Sequence, residues 1–244
     1  TIVGIALPAI IFDLHLDIAE SIWVNSLYSM IFAGLLLTAG WLSDRIGRRR
    51  QFLIGVVVFV LGSILAGLAD GAAWLIAARA VQGVGGALIM PTTVSTINVL
   101  FRGRERAAAF GVWGAVMSAT AAIGPLVGGA LTEFVDWRWI FFVNVPAGIA
   151  VLVLGALHVP ENLGGREGGF DLAGLLLSAG ALGLLVFGLI EGPDLGWWTP
   201  RAGFAIAGWT WPPTAPVSPV PVAIAAGLVL LAGFVGVQLW RMSS

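Results

Sequence analysis

Residues 40–50 read Gly40-Trp41-Leu42-Ser43-Asp44-Arg45-Ile46-Gly47-Arg48-Arg49-Arg50, the densest run of charge in an otherwise apolar chain. A long hydrophobic run leads into it, four arginines fall within positions 45–50, and a second hydrophobic run opens at Phe52. The pattern reads as a short basic loop between two membrane spans.

Composition sets the frame for the rest. Hydrophobic residues make up 59% of the 244 positions and charged residues 10%, with a mean hydropathy of +0.99. No soluble domain has that balance, so the chain reads as an integral membrane protein. At roughly 20 apolar residues per span plus short loops, it has room for about eight spans. The net charge of -1 gives no reason to expect a nucleic-acid partner. With no cysteine, disulfides, thiol catalysis and thiolate metal sites are excluded. All twelve basic residues are Arg.

No basic leader precedes the first apolar run, and the opening Thr1 reads as a cut end. Residues 1–11 read as the outer end of a first span, kinked or ended near Pro8. After a polar, acidic stretch at residues 12–22, further spans are expected at about 23–42, 52–68, 74–99, 107–131, 139–157, 171–190 and 222–240. A glycine-rich linker covers residues 161–169, and a Trp, Pro and Gly-rich segment covers residues 191–221. Strict alternation then puts nine of the twelve arginines on the side of the 45–50 loop. The opposite side collects Asp13, Asp17, Glu20, Asp70, Glu133, Asp136, Glu191 and Asp194. By the positive-inside rule the basic side is cytoplasmic.

Arg79 stands inside the fourth span, where an arginine costs about 3 kcal/mol or more unless it meets a polar cavity or a partner. Gln82 lies one turn on, on nearly the same face. One reading makes the pair part of an ion or substrate pathway; the other has Arg79 snorkel to the outer interface. In the fifth span Gly124, Pro125, Gly128 and Gly129 combine a helix breaker with small residues, as Gly83, Gly85 and Gly86 do in the fourth. Both runs suit close helix contact. Asn25, Tyr28, Trp113 and Met117 could line a mostly apolar cavity for bulky lipophilic compounds, with Trp113 attracting a cation; helix packing accounts for each of them equally simply. His15 and His158 have no clustered ligands, so no metal site is expected, and no catalytic set stands at a common depth.

The motifs together resemble the N-terminal part of a major facilitator superfamily transporter of the fourteen-span drug:proton antiporter branch. Gly40, Asp44, Arg45, Gly47, Arg48, Arg49 and Arg50 match its loop between spans two and three. Arg79, Gln82, Gly83 and Gly85 match its span-four signature, and Gly124-Pro125-Leu126-Val127-Gly128-Gly129 its antiporter signature of span five. Residues 136–146, Asp-Trp-Arg-Trp-Ile-Phe-Phe-Val-Asn-Val-Pro, are similar to the loop and span that follow.

The resemblance implies an all-helical membrane bundle. Residues 1–160 form the N-terminal six-helix half with its first span truncated, 161–169 a cytoplasmic linker, and 170–244 two further transmembrane helices with a Trp/Pro-rich outer loop. It implies a conformational latch at Gly40, Asp44, Arg45, Gly47, Arg48 and Arg49, proton coupling at Arg79 and Gln82, and a cavity-shaping bend in span five. The expected activity is proton-coupled export of lipophilic, cationic drugs, with the proton gradient as energy source and no cofactor. The expected partners are the lipid bilayer, a small lipophilic substrate and the C-terminal half of the same transporter, in the cell membrane and, in a Gram-negative source, the inner one. Two other readings stay open: a non-transporting fragment or membrane scaffold, and a solute:proton symporter of the same superfamily. The acidic residue that stands just ahead of Thr-Ile-Val in this branch is not in the sequence.

Overall fold

The computed structural model describes residues 2–161, 172–206 and 209–243. Most of the linker read at 161–169 therefore lies outside the described residues. The helices are α1 (Ile2–Leu14), α2 (Ile18–Ile46), α3 (Arg48–Gly67), α4 (Ala72–Leu100), α5 (Gly103–Phe134), α6 (Trp139–Phe142), α7 (Asn144–His158), α8 (Leu172–Leu195) and α9 (Pro219–Ser243). Among the described residues, six segments are long and apolar enough to cross a membrane, counting α6 and α7 as one. Taking the two straight pieces of α2 as one broken span makes seven, and α1 is a shorter apolar helix. This is the multi-pass helical architecture expected from the composition.

The helices run further into the polar stretches than hydropathy suggests. The basic loop is in fact a single residue. Gly47, at φ 96°, turns the chain between α2 and α3, and Arg48 to Arg50 form the first turn of α3. Arginine is a good helix former, so nothing in Arg48-Arg49-Arg50 resists the helix. The polar stretch at 12–22 likewise shrinks to His15, Leu16 and Asp17. Asp17 caps α2, accepting from the Glu20 N–H at 2.7 Å while the Glu20 carboxylate accepts from the Asp17 N–H at 3.0 Å. Pro8 does not end α1. Val3 and Ala6 before the proline and Ile10 after it are all buried, and that packing outweighs the one missing ladder bond.

The sixth span breaks at Val143 because Pro146 has no N–H to offer the Phe142 carbonyl. The seventh runs through Pro193 to Leu195, where Gly196 at φ 87° stops it. Glu191, expected on an outer loop, is thus inside α8 and only 3% exposed. The Trp/Pro-rich segment holds an antiparallel hairpin, Phe204–Ile206 (β1) with Trp209–Trp211 (β2), paired Phe204 to Trp211.

Two compact units emerge. The first comprises residues 1–28 and 39–166, with α3 against α4 as its closest pair. Its core gathers Val3, Ala6, Ile10, Val24, Leu75, Ile140 and Phe141. The second comprises residues 29–38 and 167–244, where α8 packs on α9. Within it the middle of α2 meets α8: a Cβ at Gly34 would stand 3.3 Å from the Ala179 carbonyl.

Candidate functional site

The site begins with how closely α3 and α4 approach. A Cβ at Gly85 would lie 2.7 Å from Phe59 Cα, and one at Gly62 would lie 2.8 Å from the Gln82 backbone nitrogen. Only glycine fits at either contact, so the two backbones come together as small-residue faces allow in membranes. Polar side chains on either side of that seam are then within reach of one another.

Arg79, one turn before Gln82 on α4, is 5% exposed and turns toward α2. Its Nε donates to the Val24 carbonyl of α2 at 3.1 Å, and its Nη1 donates to Gln82 Oε1 at 2.9 Å. The guanidinium carbon stands 4.2 Å above the Tyr28 ring. The side chain does not snorkel to an interface; it turns inward onto dipoles and a π-face. Gln82 Nε2 donates to Ser63 Oγ of α3 at 2.7 Å, and Asn144 Nδ2 at the start of α7 donates to the same oxygen at 3.3 Å. A chain of polar contacts therefore crosses α2, α4, α3 and α7 through the core of the first unit. Arg79, Gln82 and Tyr28 are legible in the sequence as site candidates, whereas Ser63 and Asn144 join them only through packing. Both had a signal, a lone polar side chain in an apolar run.

A second buried polar residue was also missed. Gln51 of α3 is fully buried, and its Nε2 donates to the carbonyls of Ala39 in α2 (2.7 Å) and Leu88 in α4 (3.2 Å). Its Oε1 has no donor among the described residues.

The residues of the 40–50 stretch spread across the turn around Gly47. Asp44 in the last turn of α2 accepts from Arg48 Nη2 at 2.9 Å, which offsets an acid at the unfavourable end of a helix dipole. Arg45 covers the Trp41 ring at 4.5 Å, Arg49 donates to the Ala156 carbonyl of α7, and Arg50 approaches Glu161 at 3.5 Å. Gly47 packs so close to the Glu161 carboxylate that a Cβ there would collide with it. A Cβ on Gly40 would only graze Pro91, at 4.0 Å.

At the opposite end of the first unit three turns meet. Asp13, beyond the apolar part of α1, accepts from Trp137 Nε1 at 3.0 Å and pairs with Arg138 at 2.9 Å. Arg138 also reaches the Ala69 carbonyl at 3.4 Å and covers the Trp137 ring at 4.5 Å. The indole hydrogen bond, helped by the Arg138 charge, holds the Asp13 carboxyl below its ordinary value.

In α5 the signature glycines part company. Gly128 is buried against Ile2 of α1 and Gly129 grazes Ile5 at 3.9 Å, but a Cβ at Gly124 would meet nothing within 4 Å. Pro125 lies inside the uninterrupted helix. Trp113 stands edge-on to Phe110, 6.4 Å between ring centres, and Met117 is 48% exposed. Tyr28 joins the Arg79 cluster, and Asn25 is half-buried in α2. Among the described residues no group of three or more His, Asp or Glu could hold a metal ion.

The profile of the Major Facilitator Superfamily matches residues 1–241. An uncharacterized MFS-type transporter of Mycobacterium tuberculosis is 45% identical over 81% of this chain and 34% of its own length. The tetracenomycin C resistance and export protein of Streptomyces glaucescens is 38% identical over 100% of this chain and 47% of its own. The multidrug resistance protein Stp of M. tuberculosis is 40% identical over 85% of this chain and 41% of its own. The chain thus spans between a third and a half of the curated relatives it matches. Among solved structures, the peptide transporter POT superposes with a TM-score of 0.55 at 22% identity, over 74% of this chain and 39% of that one, a likeness of fold.

Proposed function

The chain belongs to the major facilitator superfamily, and from that premise we propose that it serves, within a longer transporter, in proton-coupled export of lipophilic, cationic small molecules across the cell membrane. Relatives named for drug resistance and for export support outward transport of drug-like small molecules. The observation that carries the coupling is Arg79, a cation buried in α4 whose described contacts are carbonyl groups and an aromatic ring rather than a carboxylate.

A guanidinium stays charged at any working pH. Held among the described residues by dipoles and a π-face, it favours the ionised form of any carboxylate that approaches and disfavours a second cation nearby. A proton-carrying carboxylate therefore releases its proton as it nears Arg79 and regains it on moving away. Movement between such states is where the proposed latch of Gly40, Asp44, Arg45, Gly47, Arg48 and Arg49 acts: the Asp44–Arg48 pair and the Arg49–Ala156 bond tie α2, α3 and α7 together at one end. Gly124, Pro125, Gly128 and Gly129 are the proposed surface along which α5 slides. Asn25 and Tyr28 border the proposed substrate path, with Trp113 and Met117 completing it from α5. The bilayer, the lipophilic substrate and the remaining half of the transporter are the proposed partners, and the proton gradient the energy source.

The test uses everted membrane vesicles holding the complete transporter, a pH-sensitive dye and added lipophilic cations. The proposal expects cations to dissipate an imposed proton gradient and Arg79→Ala to abolish that response. A gradient indifferent to every cation, with folded protein present, sinks it.

A further inference from the structure

We infer that Ser63 and Asn144 are positioning residues, which fix the orientation of the Gln82 carboxamide and through it the guanidinium of Arg79. The inference rests on the coupling role proposed for Arg79. Arginine has donors only, so Gln82 must turn its oxygen toward it. The amide nitrogen then points the other way and needs an acceptor. Ser63 Oγ is that acceptor at 2.7 Å, and because Ser63 and Gln82 are 0% and 1% exposed, no solvent can take its place. Glycine at 62 is what lets Ser63 come this close, since any side chain there would press on Gln82.

Asn144 makes the arrangement responsive. It is the first residue of α7, directly after the break at Val143, and it places its Nδ2 on the same Ser63 oxygen. Ser63 Oγ has two acceptor sites, so Gln82 and Asn144 fill both. Movement at the break changes how many bonds Ser63 accepts. That change passes to Gln82 and on to Arg79, over three contacts of 3.3, 2.7 and 2.9 Å. A purely structural clip between α3 and α4 needs the Ser63–Gln82 bond but not Asn144.

The experiment measures cation-driven proton release by the complete transporter in everted vesicles as a function of pH, with thermal unfolding of the same proteins in detergent. Ser63→Ala and Asn144→Ala are expected to slow release by about tenfold, the scale of one lost buried hydrogen bond, and to move the pH midpoint. Ser63→Thr, which keeps the hydroxyl, restores the parental profile. Should Ser63→Ala fail to fold, Asn144→Ala carries the same readout. Parental rate and midpoint in Asn144→Ala, with Arg79→Ala inactive, overturn the inference and leave the coupling proposal standing. A parental profile in Arg79→Ala overturns both.

Discussion

Residues 83–86 of α4 and residues 124–129 of α5 each hold three glycines, yet they end in different surroundings. Gly85 is pressed onto the backbone of Phe59, and beside it a buried polar chain crosses four helices. A Cβ at Gly124 would meet nothing within 4 Å among the described residues, whereas Gly128 and Gly129 of α5 face Ile2 and Ile5. Small residues announce that a close approach is possible. Whether one is made depends on what the facing helix offers, here a second glycine face on α3 and only the side chains of Ile2 and Ile5 on α1. The first region reads as a fixed seam that holds polar groups out of water. The second, open at Gly124 among the described residues, is the proposed sliding surface.

The hardest way to break this contrast is to put a large side chain on each face. Gly85→Leu has no room for its Cβ, so it is expected to destabilise by more than the ~1–3 kcal/mol of ordinary overpacking and to abolish folded protein. Size-exclusion profiles of a fluorescent fusion in detergent report this directly, and a normal profile would contradict it. Gly124→Leu is expected to change unfolding temperature by no more than a surface substitution, within about 0.5 kcal/mol, while lowering transport. Unaltered transport in that variant would count against α5 as a sliding surface. Gly128→Leu lies between, losing about 1–3 kcal/mol as Ile2 is displaced.

Gln51 sharpens the account of the seam. Gln51→Ala removes two donated bonds and leaves a hole, an expected loss of about 2–4 kcal/mol. Gln51→Leu fills the space and removes the unpaired Oε1, so it should lose less. Equal unfolding temperatures for the two would mean that the amide contributes nothing. The smallest effect belongs to Asp13. Its carboxyl is held below its ordinary value in the fold, so the stability it adds is fully present above about pH 4, the unfolded value, and is lost as pH falls through the lower folded one. Between neutral pH and about pH 5 the Asp13→Asn variant and the parent should show parallel unfolding curves, converging only in stronger acid.

Much of the fold was legible because a bilayer demands long apolar helices, and little else satisfies runs such as residues 52–68. Helix ends were less legible. Hydropathy marks where lipid contact stops, whereas Arg48, Gly103 and Leu195 belong to helices that continue beyond that point. The break at Val143 could have been read from Pro146, and the capping box from Asp17 and Glu20. Nothing in the tract around Trp209 and Trp211 announces a hairpin, since prolines there suggest loop and no paired alternation flanks a turn. At the site, Arg79 and Gln82 stood out as expensive residues in an apolar helix. Ser63 and Asn144 matter only because α3 and α7 bring them to one oxygen, a fact of packing that spacing along one helix cannot carry.

The buried chain through Arg79 is proposed to couple proton movement to export rather than merely to pin helices. The direct measurement compares the parent with Arg79→Lys in proteoliposomes holding the complete transporter. Lysine keeps the charge but cannot bond Val24 and Gln82 at once through a planar fork. Arg79→Lys is expected still to exchange labelled cation for unlabelled cation without a gradient, yet to fail to accumulate cation when a proton gradient is imposed. Accumulation at the parental rate would contradict it.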